Sequence, residues 1–309
     1  MPALDVAVAV VQRDDGRVLM AERPVGKPWA GYWEFPGGKM ETGEPPLAAL
    51  RRELHEELGI ELDAAAPWIT FDYAYPEKCV RLHFYRVTRW HGAPHGREGQ
   101  QLSWEDPSAV AVDPVLPANT TVFKALQLPS IYAITNAGKL GVDEFLERLD
   151  AALVRGLRLI QVRERELPSP QLETLAREVV VRAHRCGARV LINADIGLAN
   201  KVGADGVHLP SQQLMAIEDP PSVSLWAASC HNAAELKRAS ELGADFVVLS
   251  PVLPTASHPG MAGMGWAAFA ALIRDYPLPV YALGGMGPDL VDIAWQYGAQ
   301  GVSVLSGMW

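Results

Sequence analysis

Cysteine is scarce in this chain: Cys79, Cys186 and Cys230 are all that 309 residues contain, widely spaced and with no CxxC pair. That excludes a disulfide framework and a thiolate zinc site, and it fits a reducing cytoplasm. Long apolar runs are absent too. No stretch approaches the ~20 residues that span a bilayer. The opening MPALDVAVAVVQRDDG places Asp5 before a short apolar run, with no basic leader, so a signal peptide is not expected. Positive charge is in deficit: 27 Lys and Arg against 36 Asp and Glu give a net charge of −9. Such a chain lacks the counterion-releasing basic surface that binds duplex nucleic acid. An anionic small substrate stays open, because a bound divalent cation supplies positive charge locally. The expectation is a soluble, cytoplasmic protein that works on small molecules without membrane or duplex nucleic acid.

What is present divides in two. A length of 309 residues, 49% of them hydrophobic, suits two domains, since single cores stop growing near ~250–300 residues. Up to residue 128, short β-type runs (residues 6–11 and 80–88) alternate with irregular stretches and one strongly helical segment, residues 45–58. From Ile131 the rhythm changes to strand and helix in turn. Strand-like runs cover residues 131–135, 157–163, 190–193, 206–209, 225–229, 246–250, 280–283 and 301–305. Helical patterns over 142–155, 171–186, 233–242, 266–276 and 288–297 separate most of them. Eight short apolar strands in this order predict a parallel (β/α)8 barrel. The fold expected is thus two-domain α/β, residues 1–128 and 129–309, with a short polar seam at 127–130. Only Ser306–Trp309 follow the eighth strand, so most of the last barrel helix is missing. That gap is open to cover by the first domain or by a second copy of the chain, a homodimer.

The chemistry of the first half concentrates in Gly37-Gly38-Lys39-Met40-Glu41-Thr42-Gly43-Glu44 and the helix that follows. Pro45 and Pro46 open that helix where a missing N–H costs little, and Gly59 is placed to stop it. Leu47, Leu50, Leu54 and Leu58 form its core-facing stripe. Glu53, Glu56 and Glu57, at i, i+3 and i+4, bring their carboxylates to one face. Converging carboxylates repel unless compensated, and hard cations such as Mg2+ or Mn2+ compensate through oxygen ligands. The competing reading is a solvated acidic face with Arg51 and Arg52 as partners. The glycine loop and Glu44 at fixed distances favour the metal reading.

From Gly38 to Ile60 the sequence resembles the Nudix box, G-x5-E-x7-R-E-U-x-E-E-x-G-U (U aliphatic), at every defined position. The resemblance implies an α/β/α sandwich with a mixed sheet, and attack by metal-activated water on a phosphorus of a diphosphate linkage. It assigns the metal to Glu53, Glu56 and Glu57, together with Gly38, and gives Glu44 and Arg52 a bracing role. A further carboxylate from a later loop is expected at Glu98, with Glu105 as second choice.

The likeness narrows to the MutT-type 8-oxo-dGTP pyrophosphohydrolases through Trp33-Glu34-Phe35-Pro36-Gly37-Gly38-Lys39, Thr88-Arg89-Trp90, Arg97-Glu98-Gly99-Gln100 and Leu116-Pro117-Ala118-Asn119. It implies a nucleotide pocket lined by Arg23, Phe35, Gly37, Gly38 and Asn119. The amide of Asn119 offers donor and acceptor to an oxidised purine edge. Read alone, Phe35 is equally a core residue and Asn119 equally a helix cap. A thiamine-pathway diphosphate is the alternative substrate.

From Ile131 onward the chain resembles thiamine phosphate synthase and its relative TenI, the thiazole tautomerase. The matching pieces are residues 131–135, 160–164, 203–209, 229–231, 250–255, 284–286 and 302–306. All sit at predicted C-terminal strand ends, where barrels keep their sites. The resemblance implies a phosphorylated small molecule held by Arg163, Asn193, Thr255, Gly284, Gly285 and Ser306, with His231 as acid/base. The synthase's magnesium aspartates are missing: Asn193-Ala194 and Pro210-Ser211-Gln212-Gln213 stand in their places. Its expected lysine reads His258 and its first-strand Asp reads Asn136. Asp195, one residue along, points to another face. TenI, without that metal chemistry, is the closer analogue, and a non-catalytic regulatory or dimerisation module is the alternative.

Overall fold

The computed structural model describes residues 3–254 and 262–309. The chain divides into two compact units, Met1–Leu128 with Arg274–Pro277, and Pro129–Ile273 with Leu278–Trp309.

The first unit runs β1 (Leu4–Val11), β2 (Val18–Glu22), β3 (Trp33–Glu34), β4 (Gly37–Lys39), α1 (Pro46–Leu58), β5 (Glu61–Tyr75), β6 (Lys78–His91), β7 (Leu102–Glu105) and α2 (Asn119–Leu126). A mixed sheet has the order β4-β1-β6-β5, and a smaller sheet the order β3-β2-β7. In the mixed sheet β1 runs parallel to β6 and antiparallel to β4. The period-two alternation of β1 divides its side chains between two cores. Ala7, Ala9 and Val11 join Leu50, Leu54 and Leu58 of α1. Val8 and Val10 join Phe35, Phe84 and, from α2, Val122 and Phe123. The sheet therefore carries a helix on each face, the expected α/β/α sandwich.

Besides the short strands β2, β3, β4 and β7, one long element went unread in the sequence. The 15-residue β5 pairs antiparallel with β6, and its register slips at Leu62/Ala64, Ala64/Ala65 and Pro67/Thr70. Those slips break the alternation that marks a strand. Pro67 is tolerated because β5 ends the sheet order, so its missing N–H costs no second ladder.

The second unit is a closed barrel of eight parallel strands: β8 (Ile131–Ile134), β9 (Leu159–Val162), β10 (Arg189–Asn193), β11 (Gly206–Leu209), β12 (Leu225–Cys230), β13 (Phe246–Leu249), β14 (Val280–Ala282) and β15 (Gly301–Val304). Around it lie α3 (Ala137–Leu140), α4 (Val142–Val154), α5 (Ser169–Arg185), α6 (Ile196–Val202), α7 (Ser211–Ala216), α8 (Ala233–Glu241), α9 (Gly265–Leu272) and, after a 3-10 turn at Pro288–Leu290, α10 (Val291–Gln296). All eight expected strands are present. The unforeseen helices α3, α6 and α7 have two turns or fewer, too short to show a periodic stripe.

No helix follows β15. The C-terminal Trp309 instead donates its indole N–H to the Ile134 carbonyl at 2.7 Å and packs edge-on against Phe145, ring centres 5.0 Å apart. Rings of Tyr132, Phe246 and Tyr281, from β8, β13 and β14, meet at 5.2–5.7 Å and are buried in the barrel. Beside them runs a buried polar chain. Gln161 donates to the Tyr132 hydroxyl at 3.2 Å, which lies 3.1 Å from His208 Nδ1, whose Nε2 lies 2.8 Å from the Ser229 hydroxyl. Among the described residues no helix is long and apolar enough to cross a membrane.

Candidate active site

Two glycines set the geometry of the first unit's site. A Cβ on Gly37, whose φ is +146°, would stand 2.2 Å from the Ala7 carbonyl oxygen, so β4 lies against β1 only because that side chain is missing. A Cβ on Gly38 would stand 2.1 Å from Cδ of Glu53. The carboxylate of α1 thus rests on bare loop backbone.

Arg52 holds loop and helix together. Its guanidinium donates to both carboxylate oxygens of Glu44 at 3.1 and 2.9 Å, to the Lys39 carbonyl at 3.1 Å and to Glu53 at 2.9 Å. Glu44 also accepts the Glu41 amide at 2.9 Å, and these bonds, Arg52 first, hold its carboxyl below the usual range. Paired, two-pronged Arg–carboxylate bonding of this kind fixes orientation as well as distance. At the far end of α1, Gly59 takes a left-handed conformation (φ +68°) and closes the helix on His55.

Glu53 and Glu57, one turn apart, line a cavity of about 450 Å3 together with Arg23, Lys27, Glu34, Gly37, Gly38, Lys39 and Glu98. Burial, and then the charge of Glu53, push the Glu57 carboxyl up to about 7, against the pull of Lys27. Lys27 binds the Glu98 carboxylate directly and lies 3.9 Å from Glu57. Burial works against the Lys27 charge, but Glu98 and Glu57 hold its ammonium above the ordinary value. Glu56 departs from the expected set: it is 59% exposed, and Arg52 at 3.4 Å is its ion-pair partner. It does not line the cavity, but its carboxylate shares Arg52 Nη1 with that of Glu53.

The expected nucleotide residues separate. Arg23 lines the cavity, bound to Glu34 and donating to the Pro28 carbonyl at 2.8 Å. The Phe35 side chain does not: it is 2% exposed and packs on Phe84 and Phe123, so its ring is core. Asn119 opens α2 at 4% exposure, and its Nδ2 is buried without a hydrogen-bond partner. Asn119 is not among the residues lining the cavity; its backbone N–H bonds the carbonyl of Leu116, which is. Glu105, the second choice after Glu98, is buried away from the cavity, accepting from Ser103 and from the Ala111 amide at 2.6 Å.

Sequence reasoning missed Glu34 and Lys27. Burial raises the Glu34 carboxyl despite Arg23. A glutamate beside an FPGG loop and a single lysine in a turn have no pattern of their own, and proximity to the acidic helix appears only on folding.

Among the described residues no three His, Cys, Asp or Glu side chains are gathered as a metal cage. The donor set nevertheless suits Mg2+ or Mn2+, which are commonly held by one or two carboxylates plus substrate phosphates. Glu53 on its glycine cradle and Glu57, destabilised as an anion, are hard oxygen donors of that kind.

In the barrel, Gly284 and Gly285 follow β14 with φ of +101° and +66°. A Cβ on Gly285 would meet Leu253 and the Pro254 carbonyl at 2.8 Å, so the turn folds tightly onto residues 251–254. Arg163 follows β9, half-buried, its backbone N–H bonded to Thr135 at 3.0 Å. Asn193 ends β10, and Ser306 lies in the turn after β15. Asp195 does not replace the missing metal aspartates: its carboxylate caps α6 through the Leu198 amide at 2.8 Å. His231 follows β12 and is half exposed, its Nδ1 2.9 Å from Glu235. The helix cap there is Asn232, which accepts the Glu235 amide at 3.0 Å. Thr255 and His258 lie outside the described residues.

Comparison with known proteins matches both units. Residues 1–126 fit the NUDIX domain and residues 131–308 the thiamine monophosphate synthase family. The 8-oxo-dGTP diphosphatase of Haemophilus influenzae is 37% identical over 123 residues, 40% of this chain and 90% of that protein. The CTP pyrophosphohydrolase of Escherichia coli is 36% identical over 125 residues, 40% of this chain and 92% of that protein. The thiamine-phosphate synthase of Thioalkalivibrio sulfidiphilus is 30% identical over 186 residues, 59% of this chain and 88% of that protein. With its glycine-cradled acidic helix in one unit and its closed barrel in the other, the chain belongs to the Nudix hydrolases through its first 126 residues and to the thiamine monophosphate synthase family through residues 131–308.

Proposed function

We propose that the first unit is a Mg2+-dependent nucleoside triphosphate pyrophosphohydrolase that converts 8-oxo-dGTP and water to 8-oxo-dGMP and pyrophosphate, a sanitising reaction for the nucleotide pool. When bound, the metal supplies charge neutralisation on the phosphates and a nucleophilic water at neutral pH. Glu53 and Glu57 would hold it, with Glu98 of the same cavity as a further carboxylate. Gly38 admits Glu53 to its place, and Arg52 with Glu44 keeps the loop from moving away.

The observation that carries the choice of base is Asn119. An amide buried to 4% exposure with an unpartnered Nδ2 costs free energy unless a ligand acceptor meets it. An oxidised purine edge, with acceptor and donor side by side, suits that amide. Cytosine is the competing base, because the CTP-hydrolysing relative is about as similar as the 8-oxo-dGTP one. Hydrolysis of 8-oxo-dGTP, dGTP and CTP by the parent and Asn119→Ala separates the two.

The barrel, on this reading, binds a phosphorylated small molecule through the Gly284–Gly285 turn, Ser306, Arg163 and Asn193, without the synthase's metal chemistry. Its fusion to a Nudix unit favours the second reading, hydrolysis of a thiamine-pathway diphosphate, which the same substrate panel tests.

A further inference from the structure

The turn between β2 and β3 carries Lys27 into the carboxylate cavity, next to Val25 at 98% exposure and among Gly26, Trp29 and Gly31, all of positive φ. Its ammonium binds Glu98 and stands 3.9 Å from Glu57. Glu53, Glu57, Glu98 and Glu34 all line that cavity, and Glu53 and Glu34 are already engaged by Arg52 and Arg23. Glu22, Lys39 and Lys78 line the cavity as well, and Lys27 is the cation paired with both Glu57 and Glu98 among the described residues. A divalent ion entering between Glu57 and Glu98 meets a resident positive charge within about 4 Å of the largely buried Glu57, a repulsion tempered by solvent because Lys27 and Glu98 are 44% and 42% exposed.

We propose that Lys27 is an internal counter-ion of the carboxylate site that makes metal binding depend on the nucleotide. Metal alone must displace the ammonium and leave it without a partner. Metal arriving with a triphosphate brings the anion on which the released ammonium settles. Lys27 thus weakens binding of the free ion and strengthens binding of the ion–nucleotide pair. By linkage, the coupling works equally in both directions. This inference rests on reading Glu53 and Glu57 as the metal-holding carboxylates.

The test is Mn2+ binding to the full chain, measured from the electron paramagnetic resonance signal of free Mn2+, with and without α,β-methylene-dGTP and corrected by a protein-free titration for the Mn2+ that the analogue itself holds. The parent should bind Mn2+ weakly alone and at least roughly tenfold more tightly with the analogue. Lys27→Met should bind Mn2+ alone roughly tenfold more tightly than the parent and lose most of the coupling, while Lys27→Arg keeps the parent's behaviour. A damaged fold weakens binding, so a gain in affinity is not a structural side effect. Unchanged or weaker Mn2+ binding by Lys27→Met, with Glu53→Gln abolishing it, would overturn the counter-ion role and leave the metal reading standing. If Glu53→Gln binds Mn2+ as the parent does, the metal reading fails, and this proposal with it.

Discussion

The carboxylate of Glu53 occupies the space that any side chain on Gly38 would need, with Cδ 2.1 Å from the position of a Cβ. Gly38 has no positive φ to relieve, so its glycine is required by the neighbour and not by the backbone. Gly37 is required by both, since its Cβ would stand 2.2 Å from the backbone oxygen of Ala7. The two substitutions therefore separate activity from stability. Gly38→Ala should displace Glu53, cutting Mg2+-dependent hydrolysis while shifting the melting temperature little. Gly37→Ala should destabilise the unit by about 1–3 kcal/mol. Thermal melts and turnover of both variants check the pair; equal melting shifts would contradict the assignment.

Glu53→Gln keeps the shape and removes the charge. A loss of at least ~10²-fold in kcat is expected, as when one preorganised electrostatic group is removed, with the melting temperature near that of the parent. Near-normal turnover would refute Glu53 as a metal carboxylate.

Asn119→Ala removes an amide that spends the unliganded state unpartnered. The protein should lose little stability, because no internal bond of the amide nitrogen breaks. Discrimination between 8-oxo-dGTP and dGTP should fall by about 1–3 kcal/mol, or roughly 5- to 150-fold. Steady-state kcat/KM for both nucleotides measures it, and unaltered discrimination would remove Asn119 from base recognition.

His208 gives the barrel a pH signature. Burial, and then the nearby Arg163 charge, push its imidazole down to about 3, from an ordinary value near ~6.5. Below ~6.5 the unfolded chain takes up a proton that the folded barrel refuses. The stability this site contributes is therefore complete above ~6.5 and declines as pH falls toward 3. His208→Gln lacks the titration. Urea midpoints of parent and variant should differ by a constant above pH 7 and by less at pH 5. A difference independent of pH would show His208 titrating normally.

In the barrel, a thiazole phosphate should bind to the parent by calorimetry and bind at least roughly tenfold more weakly to Gly285→Ala, whose Cβ would meet Leu253 and Pro254 at 2.8 Å. His231→Ala should keep that affinity, since its imidazole is engaged by Glu235. Loss of isomerisation activity in His231→Ala, with binding intact, would make His231 the acid/base; no activity in the parent leaves the barrel a binding unit.

Much of this was legible in sequence for physical reasons. The box from Gly38 to Ile60 is local, so its helix and caps follow from spacing, while the Arg52–Glu44 brace followed from the resemblance to the Nudix box. The barrel strands are continuous apolar runs because both of their faces are buried. What escaped was non-local or irregular: β5 with its slipped register, the inward turn of Lys27, and the exposure of Glu56. Phe35 shows the limit of analogy between motifs. Its neighbours on both sides line the cavity, yet alternation along the chain sends its ring into the core.

The most direct measurement is Mg2+-dependent hydrolysis, read as pyrophosphate from 8-oxo-dGTP, dGTP and CTP and as phosphate from thiamine-pathway diphosphates, under identical conditions. The sanitising reading predicts kcat/KM for 8-oxo-dGTP at least about tenfold above every competitor, a difference of roughly 1.4 kcal/mol in transition-state binding. Equal rates on dGTP and 8-oxo-dGTP, or a preference for CTP or a thiamine-pathway diphosphate, would contradict it.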